Sequence, residues 1–173
     1  MNTNETSPVT ARMVAAARFG ELIARLVQIA CTILAALCVL GAVLGGSVAG
    51  ALGLAVYEGL SGWQLTVLGL GAAVSYGLRA AAFAALARFC RLAAAPPTPF
   101  TGDSAGLLLR AAALLAAEQG LSLVLGLALR LLRVSAAFSL VDLPAVLGAV
   151  FLYLMGRIFQ YGAQLQQLSD ETL

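Results

Sequence analysis

Histidine and lysine are absent from this chain of 173 residues, and only 10% of its residues are charged. Each gap removes a class of function. Without histidine the usual zinc and haem ligand sets cannot be assembled. The three cysteines do not replace it. Cys31 and Cys38 lie seven apart on one helix face and Cys90 stands alone, so they read as small apolar packing residues. Carboxylates are the only general bases left. There is no Walker loop, no G-x-S-x-G, no H-E-x-x-H and no haem-attachment sequence. No catalytic residue, metal or cofactor is expected, and the chain reads as a non-enzyme. A net charge of +2 is too small to argue for direct nucleic-acid binding. All ten basic residues are arginine, beside abundant alanine, leucine and glycine, which a GC-rich coding bias would explain.

Apolar residues fill the space. The chain is 61% hydrophobic, with a mean hydropathy of +0.97. A soluble domain of this size could not solvate such a surface. Four apolar stretches are long enough to cross a bilayer, at about 26–48, 64–87, 107–129 and 140–158. They predict an all-α integral membrane four-helix bundle, with the lipid bilayer as its first partner. Residues 1–173 form one membrane domain.

The polar N-terminal segment, residues 1–25, becomes amphipathic after Ser7-Pro8. Arg18, Glu21 and Arg25 share one face. It reads as an extension of the first span, with a surface-lying helix as the alternative. Ser47-Val48-Ala49 has the small-x-small look of a signal cleavage site. The apolar run before it is too long for a signal, and more spans follow, so it is read as retained. Gly41, Gly45, Ala49 and Gly53 recur every four residues, a spacing that lets helix backbones approach. Internal packing is the simpler use of that stripe, and a homodimer the other. Tyr57 and Trp63 suit a membrane–water interface.

Three prolines in the stretch 92–101 bar a helix there and predict a turn. Thr101 stands where an N-cap would, with Asp103 and Ser104 in the first turn that follows. Asp142 and Pro144 begin the fourth span. Residues 159–173 read as an amphipathic tail, with Ile158, Tyr161, Leu165 and Leu168 apolar against Gln160, Gln164 and Gln167. Counting arginines places Arg12, Arg18, Arg25, Arg88, Arg91, Arg110 and Arg157 near one side and only Arg130 and Arg133 near the other. The positive-inside rule then puts both termini in the cytoplasm.

Two charges interrupt the middle spans. Arg79 lies nine residues before Arg88, about 13 Å into the membrane, and Glu118 eight residues past Arg110, about 12 Å in. Both approach the midplane, about 15 Å deep, from the same side. Intramembrane charges face the protein interior and pair, so Arg79 and Glu118 are expected to meet as an intramembrane ion pair. Gln119 is a polar neighbour able to add a hydrogen bond. The pair either fixes helix register or serves a ligand or proton, and the residues alone leave both open.

Two segments carry a resemblance. The turn Pro99-Phe100-Thr101, with Leu108 and Arg110 after it, is one. The tail Phe159-x-x-Gly162-x-x-Leu165, ending Asp170-Glu171-Thr172-Leu173, is the other. Together they resemble a family of small bacterial four-helix membrane proteins classed as a domain of unknown function, similar over nearly the whole chain. Its members often carry an asparagine near the position of Ser104. Such proteins are often encoded beside a small helix-turn-helix regulator. The resemblance therefore implies a bacterial cytoplasmic (inner) membrane protein that acts as a regulatory or sensory partner of a cytoplasmic DNA-binding protein. Pro99, Phe100, Thr101, Gly162, Leu165, Asp170, Glu171 and Thr172 would be the contact. The plainer reading of Asp170 and Glu171 is pairing with Arg88, Arg91 or Arg157. The alternative function is a small transporter, channel component or immunity protein with Arg79 and Glu118 lining its path.

Overall fold

Proline is confined to helix starts wherever the backbone is helical, and the helices run long as a result. The structure, a computed structural model, describes residues 8–44, 62–94, 102–131 and 142–171. Among them are four helices and no strand: α1 (Pro8–Leu44), α2 (Gly62–Ala93), α3 (Gly102–Leu131) and α4 (Leu143–Glu171). Pro8 opens α1 and Pro144 sits in the first turn of α4, where a missing N–H costs nothing. All four are long and apolar enough to cross a membrane.

The helices outrun the expected spans. α1 has 37 residues, about 55 Å at 1.5 Å each, and carries the N-terminal amphipathic segment and the first span as one piece. On its exposed face Arg25 Nη2 lies 2.5 Å from Glu21 Oε1. α4 likewise runs unbroken from the expected fourth span into the tail.

Neighbours in sequence pack closely and run antiparallel, α1 on α2, α2 on α3 and α3 on α4. Small residues make the seams. On α1, Ala24, Cys31 and Ala42 are buried. A Cβ on Gly69 of α2 would stand 2.8 Å from Ala42 Cβ and 3.1 Å from the Cys38 carbonyl oxygen. Thr66 Oγ1 donates to the Ala42 carbonyl at 3.3 Å, reinforcing the same crossing. Gly20 faces Cys90 at the other end of the pair. So the cysteine face of α1, rather than Gly41, makes the close approach. Gly41 is exposed, with nothing within 4 Å of its Cβ position. Gly45, Ala49 and Gly53 lie outside the described residues.

Between α2 and α3, Leu68 and Leu129 bury each other with Leu125 against them. Lower down, Ala82, Leu115 and Ala149 join α2, α3 and α4, flanked by Leu114 and Leu152. Below that, Phe159 meets Phe89 edge-on at 5.6 Å, and Gly156 lies against Leu108 and Leu109. α4 therefore shares the lower layers of the bundle. It begins level with Arg79, roughly midway along α2.

Candidate functional site: a charge cluster inside the bundle

Arg79 lies at the middle of α2 and Glu118 at the middle of α3. Antiparallel packing through Gly71–Leu125 above and Ala82–Leu115 below brings them level. Arg79 Nη2 stands 3.0 Å from Glu118 Oε1. The Glu118 side chain is 2% exposed and that of Arg79 is 32% exposed.

A third charge completes the site. The same nitrogen, Arg79 Nη2, donates to Asp142 Oδ2 at 3.2 Å. Asp142 also starts α4: its carbonyl accepts the first intrahelical bond, from Val146 N at 3.0 Å. Aspartate is favoured at that capping position. One residue thus begins the helix and ties its end to α2.

Gln119 clamps the arrangement. Its Nε2 donates to Glu118 Oε2 at 2.8 Å, and its Oε1 accepts from the Asp142 backbone N–H at 3.0 Å. Ser122 Oγ, one turn along α3, stands 3.5 Å from Glu118 Oε1. Both Glu118 oxygens are therefore engaged. No buried side-chain nitrogen or oxygen lacks a partner among the described residues.

The charges do not cancel. One guanidinium faces two carboxylates, and the excess negative charge sits at the N-terminal end of α4. There the partial positive charge of the helix offsets part of it. A slip of α2 against α3 would strand the buried Glu118, so this pair ties those two helices in register.

Sequence reasoning brought Arg79, Glu118 and Gln119 to one level but assigned Asp142 only to a helix start. The signal for Asp142 was its position beside an apolar run with no arginine near it on the same helix face. Ser122 follows from helical spacing, four residues from Glu118. The other expected contact residues do not reach this cluster. Gly162 is half-buried and Leu165 exposed, both far down α4. The α4 backbone is helical through Asp170 and Glu171. Pro99, Phe100, Thr101 and Thr172 lie outside the described residues.

No family model, curated protein or solved structure matches this chain.

Proposed function

We propose that this is a non-enzymatic, multi-pass protein of the bacterial inner membrane, and a regulatory or sensory partner of a cytoplasmic DNA-binding protein. Both termini lie in the cytoplasm in this reading. The supporting observation is the course of α4. It begins at Asp142, bonded to Arg79 and Gln119 inside the bundle, and continues as one helix to Glu171. One continuous helix joins the charge cluster to the segment that resembles a family-specific tail. A change at Arg79, Glu118 or Asp142 would shift or tilt that helix, and its far end would carry the shift to a bound regulator. Coupling of this sort needs an element that both ends bias, and α4 has the right extent. Seven arginines gathered at the tail end favour a cytoplasmic location for it.

Removal of residues 169–173 tests the reading. Regulator binding and target transcription should both change while the protein still inserts and folds. If both stay as in the full chain, the tail is not the contact.

A small transporter or channel component is the second reading. It is favoured by one observation: Arg79 and Asp142 are 32% and 42% exposed, so the cluster is open on one side. An altered ion flux in a folded Glu118→Gln protein, with regulator binding intact, would select it.

A further inference from the structure

The lower end of the α1–α2 pair carries charge that the bundle does not balance. A Cβ at Gly20 of α1 would stand 3.2 Å from Cys90 Sγ of α2, and this contact sets the level. Arg18 is two residues from Gly20 and Arg25 five, while Arg88 and Arg91 are within two residues of Cys90. At 1.5 Å per residue all four lie within about 8 Å of that level. The same counting gives their direction. On α1, Ala24, Cys31 and Ala42 are buried in the seam, and Arg25 follows Ala24 by one residue, a turn of about 100°. On α2, Gly69 meets Ala42, and the buried Ala87 is eighteen residues further on, five whole turns, so it lies on the same line. Arg88 follows Ala87 by one residue, again about 100°. In an antiparallel pair, equal turns in one sense from the contact line lead to one side. Arg18, six residues before Ala24, and Arg91, four after Ala87, are turned to that side as well. All four side chains are exposed. α4 meets α2 at Phe89, about 200° round from Ala87, so it stands behind α2 and leaves the patch open. Of the four arginines only Arg25 has an acidic partner among the described residues, Glu21. Three guanidinium groups are left in excess on one side of one seam.

We propose that this patch binds the phosphate of an anionic phospholipid headgroup. The site rests on the membrane-spanning reading of the chain and is independent of the regulator. Depth is the first reason. In that reading Arg79 is near the midplane. Cys90 is eleven residues below it, about 16 Å, where a half-layer of hydrocarbon of about 15 Å ends and headgroups begin. The second reason is what stands above the patch on the same side. Leu70 and Val74 of α2 each follow a seam residue, Gly69 and Ala73, by one, and both are exposed, as is Ile29 of α1. Acyl chains attached to a headgroup at the arginines would run along these side chains. A free phosphate would meet only the arginines. The third reason is the chemistry of the donors. A guanidinium offers two parallel N–H groups to two phosphate oxygens, and basic pockets between spanning helices at this level hold phospholipid headgroups.

Carbonate washing of the host membranes comes first. Release of the chain would overturn the membrane reading and the lipid site with it. Retention isolates the site for the next step. The full chain is delipidated in neutral detergent and titrated with fluorescent phosphatidylglycerol or phosphatidylcholine. Each unpaired arginine near a headgroup contributes about fivefold, so the anionic lipid should bind about a hundredfold tighter. Arg88→Gln should weaken it about fivefold, and Arg18→Gln with Arg88→Gln and Arg91→Gln should abolish the preference. Arg130→Gln, at the opposite end of the bundle, should leave it unchanged. These arginines make no ion pair among the described residues, so the variants should melt with the parent chain, and the single Arg88→Gln protein keeps the test sharp if the triple variant does not fold. Equal affinity for the two lipids in a membrane-retained chain would overturn the site alone. So would an undiminished preference in a folded triple variant, an equal loss in Arg130→Gln, or displacement of the lipid by equimolar inorganic phosphate.

Discussion

A single guanidinium nitrogen, Arg79 Nη2, holds carboxylates from two other helices, and the loss of Arg79 strands the buried one, Glu118. Glu118 would be left as a buried charge, and breaking a buried pair from one side costs about 3–5 kcal/mol. Arg79→Leu should therefore lower stability by roughly that amount in a detergent unfolding titration. The double replacement Arg79→Leu with Glu118→Leu should recover most of it, because no charge remains to be stranded. Asp142→Asn should cost less, about 1 kcal/mol, since the Asp142 side chain is more than a third exposed and its backbone bond to Gln119 survives. Equal losses for Arg79→Leu and Asp142→Asn would mean that burial is not what ranks the members of the cluster. The depth of Arg79 and Glu118 can be read from their spacing to Arg88 and Arg110, because helical rise is fixed. The depth of Asp142 cannot. It depends on how far α4 reaches along α2, and that is set by packing at Ala149, Gly156 and Phe159, not by local hydropathy.

At the scale of the helix, the contacts that matter are those a side chain would block. A Cβ at Gly69 would meet Ala42 and the Cys38 carbonyl, so Gly69→Leu should push α1 off α2 and cost about 1–3 kcal/mol or more. Gly41→Leu should leave the same melting curve within error, since its Cβ position is open. If the two variants melt alike, the crossing of α1 and α2 is not set at Gly69. Hydropathy alone foretells that helices exist here and how many apolar runs there are. It does not foretell which glycine is used, because Gly41 and Gly69 look alike until the partner helix is placed. The cysteine face of α1 was legible as a packing face from its seven-residue spacing. The start of α1 at Pro8 and the run of α4 from Asp142 into the tail were legible too, from Ser7-Pro8, from Asp142 with Pro144, and from the amphipathic pattern past Arg157.

At the scale of the molecule, among the described residues α1 packs closely on α2 but not on α3 or α4, so these helices follow chain order instead of closing into a symmetric ring. That leaves α4 with one face on the bundle and one face free, its upper end locked by Arg79 and its lower end extending to Glu171. In the proposed reading, a displacement at the charge cluster passes along α4 to its lower end. The most direct measurement is a mild-detergent pull-down of the tagged full chain from its own host, with quantitative mass spectrometry of what accompanies it. A small DNA-binding protein in stoichiometric amount is the expected result. A clean preparation without such a partner would contradict it.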